Sequence, residues 1–133
     1  MDFAAKDFYL LFCNHKFKKV TETIQDGFSG MYFVLRLLSD APNGLSAGEI
    51  SKMFHVTTAR TAVILATLKK KGFIAKTKCS LDARKTIVKI TEKGTEALSK
   101  RKAKIFNSID GFLVKLDSSE KENLYDILQK LLK

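Results

Sequence analysis

The fold is decided by residues 45–93, which read LSAGEISKMFHVTTARTAVILATLKKKGFIAKTKCSLDARKTIVKITEK. Ser46 and Glu49 have the spacing of a capping box, in which each side chain satisfies a free backbone N–H group at a helix start. The short helix that follows has an apolar stripe made of Ile50, Met53 and Phe54. Because these residues recur at helical spacing, the stretch predicts an amphipathic helix that packs on a core.

A second helix is predicted after a break at residues 55–57, where Thr57 or Thr58 can cap its start. The residues predicted to form its apolar face are Val63, Ile64, Leu65 and Leu68. Lysines 69–71 suit the negative end of the helix dipole, and Gly72 is a natural stop. Two helices joined by a tight turn, the second with polar residues at its start, are typical of a helix-turn-helix that reads DNA.

A basic β-hairpin is predicted directly after the helix pair. Phe73–Cys79 and Thr86–Ile90 are rich in β-branched and apolar residues, which favours strands. The cations of this segment are Lys76, Lys78, Arg84, Lys85 and Lys89. Alone, the segment could equally be a solvated hairpin whose lysines serve solubility. Beside a recognition helix it can bring cations to DNA phosphates or into the minor groove, so the sequence predicts a winged helix-turn-helix.

Four short motifs follow one another in a specific order and spacing. They are Leu45–Ile50, Leu68–Ile74, Asp82-Ala83-Arg84 and Ile90–Gly94. With these motifs the sequence resembles the MarR family of bacterial transcriptional regulators, and helical patterns on both sides extend the resemblance over nearly the whole chain. The sequence departs modestly from the family's pattern at two places. Ile90 stands where leucine is usual, and the second helix is unusually apolar after Thr61.

The resemblance implies a homodimer in which each subunit inserts a recognition helix into the major groove of double-stranded DNA and a wing into the adjoining minor groove. It also implies that Arg84 contacts DNA and that Asp82 helps to fix the wing. The predicted DNA-binding residues are Ser46, Thr57, Thr58, Arg60, Thr61, Lys78, Asp82, Arg84 and Lys85.

The residue types give these positions different roles. Thr58, Arg60 and Thr61 can reach base edges or phosphates, and arginine is the commonest partner of guanine. Arg60 has the alternative role of packing or pairing within its own domain. Thr57 is better suited to capping than to reading, and Ser46 could offer its hydroxyl to a phosphate.

Charge is concentrated in the same region. The chain has 133 residues, 45% of them hydrophobic, and a net charge of +10. Eleven Lys/Arg and three acidic residues lie between Gly44 and Gly94. The rest of the chain has thirteen Lys/Arg and eleven acidic residues. A clustered positive field is typical of proteins that bind a polyanion. A membrane surface is a weaker alternative, because the basic segment lacks an apolar face free to insert.

Helices are predicted on both sides of residues 45–93. The N-terminal ones are Asp2 to about Lys19, extending as far as Gln25, and then, after Asp26-Gly27, a buried helix at Ser29–Ser39. The C-terminal ones are Thr95 to about Asp110, with a kink or stop near Gly111, and a last helix opened by a capping box of Asp117 and Glu120.

The aromatic first helix has more apolar surface than a lone helix on a small domain needs; part of it packs in the core, and the rest suits a subunit interface. The leucine-rich last helix cannot bury its stripe alone, so it either folds back on its own subunit or packs against a second one. We assign these terminal helices to dimerisation. The fold class predicted is mainly α with a small β-hairpin wing. We expect a single MarR-like domain at 1–133, divided into a DNA-binding lobe at about 28–93 and dimerisation helices at 1–25 and 94–133.

Other chemistry is sparse. Phe8–Cys13 is too short to span a bilayer and follows no basic region, so we expect a cytoplasmic protein. Two cysteines make no disulfide framework; we interpret Cys13 as buried packing and Cys79 as more exposed. Cys13 and His15 point about 200° apart on a helix, which suits a shared metal poorly. No catalytic set or phosphate-binding glycine loop is present, so we expect no enzyme, no metal and no cofactor.

The favoured hypothesis is therefore a sequence-specific transcriptional regulator that acts as a repressor on a palindromic operator. The resemblance also implies a small-molecule pocket between the DNA-binding lobe and the dimerisation helices, through which an effector would modulate DNA binding. The alternative is a nucleic-acid-binding winged-helix protein without sequence preference, which would carry the same charge. A third class, a protein-interaction module that has lost DNA binding, is disfavoured by the presence of Arg60, Asp82 and Arg84.

Overall fold

The structure, a computed structural model, describes residues 3–28 and 30–133, and its internal contacts divide the chain into two compact units. We call the segments up to Ile24 and from Lys104 to Lys133 the first unit, and Gln25–Ala103 the second unit. The elements are α1 (Ala5–Phe12), α2 (His15–Phe28), α3 (Gly30–Ser39), β1 (Leu45–Ser46), α4 (Ala47–Phe54), α5 (Thr58–Lys70), β2 (Ile74–Lys78), β3 (Thr86–Ile90), α6 (Glu92–Leu113) and α7 (Ser118–Leu132). The predicted fold class, mainly α with a β-hairpin, is confirmed.

The sheet of the second unit is antiparallel, with strand order β1-β3-β2. β2 and β3 form the predicted hairpin, in which Ile74 pairs with Ile90 and Lys78 with Thr86. We call residues 74–90 the wing. β1 was not predicted; it pairs Leu45 with Val88, and two residues are too few to show the alternation by which a strand is recognised.

The core of the second unit lies between α3, α4, α5 and the sheet. Its buried apolar residues are Val34, Leu35, Leu38, Ile50, Ile64, Leu65, Leu68, Ile74, Val88 and Leu98. The predicted apolar faces of the helix pair are wrong at two positions, because Met53 and Val63 are 49% and 67% exposed. On a helix of 3.6 residues per turn, Val63 points away from Ile64, Leu65 and Leu68, which share the buried side.

The ends of α4 and α5 are set by their capping residues. The predicted capping box is confirmed: Glu49 N donates to Ser46 Oγ, and Ser46 N donates to Glu49 Oε2, both at 3.2 Å. His55 ends α4 in the left-handed conformation, with φ of 55°. Of the two candidate caps for α5, Thr57 is the one used, since its Oγ1 accepts from Arg60 N at 3.1 Å.

α5 is terminated by the glycine that was predicted to stop it, two residues after its last helical residue. Gly72 has φ of +78°, Gly72 N donates to Lys69 O, and Phe73 N donates to Leu68 O, each at 3.0 Å. This pair of bonds is the Schellman motif, which satisfies the last free carbonyls of a helix and reverses the chain. The chain therefore leaves α5 directly into β2.

Thr91 joins the end of α5 to the start of α6. Its hydroxyl donates to Gly72 O at 2.6 Å and accepts from Gly94 N at 3.1 Å, and its backbone N donates to Phe73 O at 3.0 Å. α6 thus begins at Glu92, three residues before the predicted start. It passes through Gly111 and ends at Leu113, so the predicted stop lies slightly early.

In the first unit, the long N-terminal helix that was predicted is in fact two helices. Asn14 caps α2, since its Oδ1 accepts from Lys16 N at 2.9 Å, and this starts a new helix instead of extending α1. Cys13 follows the end of α1 and is exposed, so the interpretation of it as buried packing is wrong. Cys79, predicted to be the more exposed cysteine, is half-buried. The predicted helix starts at Asp2 and Ser29 lie outside the described residues.

Most apolar side chains of the first unit are exposed. Val20 is its only buried apolar residue in the part of the chain that the structure describes. The exposed ones on α1 and α7 are Phe8, Tyr9, Leu10, Leu11, Phe12, Tyr125, Ile127, Leu128, Leu131 and Leu132. The predicted capping box of Asp117 and Glu120 does open α7. Within residues 3–28 and 30–133, no helix has both the length and the apolar character needed to cross a bilayer.

Two glycines of α6 have opposite surroundings, which gives a matched test of the packing. A Cβ added to Gly94 would collide with the carbonyl of Phe73, whereas a Cβ on Gly111 would meet nothing within 4 Å. We therefore expect Gly94→Ala to lower the free energy of unfolding by about 1–3 kcal/mol through overpacking. Gly111→Ala should raise it by about 0.5–1 kcal/mol, because alanine favours helix over glycine.

The measurement is urea denaturation at one fixed protein concentration, so that any linkage to oligomerisation is held constant. If Gly94→Ala left the free energy of unfolding unchanged or raised it, the close approach of α6 to Phe73 would be contradicted.

Candidate nucleic-acid interface

A buried hydrogen-bond chain joins the two helices of the helix-turn-helix. Ser51 on α4 donates to Thr61 Oγ1 on α5 at 2.8 Å, and the Thr61 hydroxyl donates to Thr57 O at 3.1 Å. Ser51 is 7% exposed and Thr61 is 0% exposed. Buried hydroxyl groups are costly unless they are paired, so this geometry fixes how α5 is rotated against α4.

The prediction that Thr61 contacts DNA is wrong. Its side chain has no accessible surface, and its hydroxyl already has two partners within the protein. The sequence could not distinguish Thr61 from Thr58, because both are threonines in the first turn of α5. Thr61 shares the helix face of Leu65 and Leu68, and that face is the buried one.

The other polar residues at the start of α5 are exposed. Thr58 and Arg60 lie on the surface, and Arg60 makes no ion pair with any residue that the structure describes. Thr57 is also exposed, but its hydroxyl oxygen is used as the helix cap. Thr58 and Arg60 are therefore the predicted α5 residues that are available to a partner.

The solvent face of α5 also carries residues that sequence analysis did not single out. We call Ala59, Ala62, Val63 and Ala66 the solvent-facing stripe, because all four are exposed and recur at helical spacing opposite the buried face. The signal was present in the sequence as an apolar composition on both sides of the helix, but it was interpreted as core alone.

The tip of the wing is fixed by Asp82. Its Oδ1 accepts from Arg84 N at 3.0 Å, its carbonyl O accepts from Lys85 N at 3.0 Å, and Cys79 N donates to Lys85 O at 2.8 Å. A side chain that accepts from the backbone two residues ahead is an Asx turn, which holds a short loop in one conformation. Arg84 and Lys85 are thus presented from a defined turn.

The wing is strongly cationic on its surface. Its exposed basic side chains are Lys76, Lys78, Arg84, Lys85 and Lys89, and its only acidic residue is Asp82. Like charges so closely spaced raise the local positive potential and attract an anionic partner. All of the predicted wing residues, Lys78, Asp82, Arg84 and Lys85, are accessible.

Ser46 is only partly accessible for the predicted contact with DNA. It is half-buried, and its Oγ accepts from Glu49 N, so a contact with phosphate would have to use the remaining hydroxyl proton. No group of three or more His, Cys, Asp or Glu side chains is arranged to hold a metal ion within the described residues.

Comparison with known proteins agrees with this geometry. The MarR family model matches residues 30–86, which include α3, the helix pair, β2 and the loop of the wing. The putative transcriptional regulatory protein for the hcr operon of Thauera aromatica is 22% identical over 116 residues, covering 87% of this chain and 69% of that protein.

Solved structures share the fold. The YusO protein of Bacillus subtilis has a TM-score of 0.83 at 21% identity, covering 98% of each chain. A mutant of S. aureus MepR bound to an oligodeoxyribonucleotide has a TM-score of 0.70 at 21% identity, covering 98% of this chain and 97% of that one. The family-model match covers the helix pair and less than half of the chain, so this chain is similar to the MarR family over residues 30–86 and has the fold of these solved structures across nearly its whole length.

Proposed function

We propose that this protein is a homodimeric, sequence-specific DNA-binding repressor that acts on a palindromic operator. The observation that carries the proposal is the exposure of Arg60 at the start of α5 together with a basic wing whose tip is held by Asp82. α5 enters the major groove, where Arg60 can bind guanine in a bidentate manner, and Arg84 and Lys85 contact the backbone or the minor groove.

The first unit supplies the dimer in this proposal. It exposes most of its large apolar side chains, and outside it only Met53, Val63 and Leu81 are comparably exposed among the described residues. Large exposed apolar side chains concentrated in one unit are a candidate protein interface. Readers of two-fold operators usually bind as dimers. A second copy of the chain, covering α1 and α7, would also account for the leucine-rich end of α7.

A small-molecule effector is part of the proposal. An open surface pocket of about 430 Å³ in the second unit is lined by Asp26, Gly30, Met31, Tyr32, Arg60 and Arg101. Arg101 Cζ lies 5.0 Å from the ring centre of Tyr32, and Arg101 Nη2 lies 3.5 Å from Asp26 Oδ2. The buried Arg101 Nε has no hydrogen-bond partner among the described residues. These groups suit an aromatic anion, and a ligand there would lie beside Arg60. It could release DNA only by binding the DNA-free state more tightly.

The alternative, a nucleic-acid-binding protein without sequence preference, uses the same wing. The two functions differ in what α5 contributes, because phosphate contacts position a protein whereas base contacts specify the sequence. The exposed Arg60 guanidinium favours the sequence-specific function. Selection of bound duplexes from a random pool separates the two, since a binder without preference would enrich no sequence.

The wing provides the first test of DNA binding. We expect Arg84→Ala to weaken binding to all duplexes and to lower the slope of log affinity against log salt concentration by about one for each lost phosphate contact. The measurement is a fluorescence-anisotropy titration at several salt concentrations. Lys121→Ala on α7 removes the same charge from an exposed position outside the second unit, and its salt slope should stay near the wild-type value.

Two substitutions of Asp82 distinguish the effect of the turn geometry on DNA binding from the effect of the negative charge, in the same titration. Removing a negative charge from a DNA-binding surface would by itself strengthen binding. Asp82→Ala should nevertheless weaken it, because the turn loses its acceptor for Arg84 N, whereas Asp82→Asn keeps the acceptor and should bind at least as well as the wild type. Tighter binding by both variants would contradict a positioning role for Asp82.

The dimer is tested through α7. We expect the wild-type protein to be a dimer at micromolar concentration by light scattering coupled to size exclusion. Leu128→Asp should yield monomers, because a charge would be buried without a partner at the interface. Leu81→Asp introduces the same charge at a side chain that is 95% exposed in the wing, and this variant should remain dimeric. A monomeric wild-type protein would refute the proposed dimer.

A further inference from the structure

The solvent-facing stripe of α5 is apolar although it is exposed. Ala59, Ala62, Val63 and Ala66 turn no hydrogen-bonding group to the solvent, although they lie on the helix that carries Arg60. Alanine is a favourable residue in any helix, so exposed alanines alone need no explanation. Val63 is different, because a β-branched residue is a poor helix former and this one is 67% exposed.

The geometry points to a surface that reads thymine: we propose that the solvent-facing stripe contacts the 5-methyl groups of thymines in the major groove. Thymine is the only standard DNA base that presents a methyl group there, and small apolar side chains are its usual partners. This inference rests on the proposed DNA-binding function and adds the base class that the helix selects.

The stripe has the position that such contacts need. It lies on the side of α5 opposite Thr61, Ile64, Leu65 and Leu68, so the core and the stripe cannot exchange roles without rotating the helix. From Ala59 to Ala66 it extends about 10 Å along the helix axis. That length matches about three stacked base pairs at the rise of duplex DNA.

Charge favours DNA over a protein as the occupant of this face. α5 contains no acidic residue between Thr58 and Lys70, and it carries Arg60 near its start and lysines at its end. The exposed cations of the wing belong to the same unit. An apolar strip bordered only by positive charge is complementary to a groove whose walls are phosphates and whose floor presents methyl groups.

The short side chains also define what the helix can recognise. Alanine and valine cannot hydrogen-bond to base edges, so Arg60 would supply the hydrogen-bonded contact with guanine. Each half of the operator should therefore contain a run of two or three A·T pairs with their thymine methyl groups under the stripe, next to a G·C pair that Arg60 contacts.

The test begins with duplexes selected by the wild-type protein from a random pool. Thymines within the half-sites of the preferred duplex are then replaced by deoxyuridine, which lacks only the methyl group and leaves the minor groove unchanged. We expect affinity to fall about three- to fourfold for each contacted methyl, the size expected for one buried apolar carbon group. The same replacement in the flanking DNA should leave affinity unchanged.

A protein variant tests the same contact from the other side. Val63→Thr replaces a methyl group by a hydroxyl at nearly constant shape and should bring the affinity ratio of thymine to uracil duplexes closer to one. Val114→Thr makes the same change at a side chain that is 72% exposed in the first unit, and it should keep the wild-type ratio. Because a ratio is measured, a general loss of stability in either variant would not imitate the expected result.

The outcomes distinguish this inference from the proposed function. Equal affinity for thymine and uracil duplexes, or preferred half-sites without thymine, would overturn the inference and leave sequence-specific binding intact. Failure to enrich any sequence would remove the proposed function and the inference together.

Discussion

The orientation of α5 is the constraint on which the functional surface depends. Ile64, Leu65 and Leu68 are buried on one side of this helix, and Thr61 is locked on the same side by its hydrogen bond with Ser51. A buried hydroxyl pair is directional in a way that apolar packing is not, so it selects one rotation of the helix. That rotation turns Thr58, Arg60 and the solvent-facing stripe outward together.

A second set of backbone bonds ties the rest of the second unit to this helix. The Schellman bonds at Gly72 turn the chain into β2, and Thr91 caps α6 while donating to Gly72 O. Gly94 is required beside Phe73, where no side chain would fit. The motif at Ile90–Gly94 thus has a physical explanation: it fastens the exit of the wing and the start of α6 to the end of α5.

Sequence patterns predicted the elements of the second unit well because their signals are local. The capping box at Ser46, the stop at Gly72 and the strands of the wing each depend on residues that are close in sequence. The faces of α5 were harder to predict, since apolar residues occur on both sides and only packing decides which side is buried. For that reason Thr61, which was expected to face DNA, is buried, and Val63, which was expected to be buried, is exposed.

The first unit was predicted less well. Its helices carry too much apolar surface for periodicity to define one buried face, and the break at Cys13 and Asn14 depends on a single capping side chain. Whether the exposed aromatic and leucine residues meet a second subunit is a property of an assembly, which a single chain's pattern cannot specify. Arg84 and Asp82, by contrast, were identified through the resemblance, and the structure adds the hydrogen bond that links them.

The central claim, that the start of α5 and the wing form one DNA-binding surface, is tested most directly by amide chemical-shift mapping. The isotope-labelled full-length protein would be titrated with the duplex that it selects. We expect the largest shifts at residues 57–66 and in the loop of the wing, with α1 and α7 little changed. Shifts confined to α1 and α7, with α5 and the wing unaffected, would contradict the account.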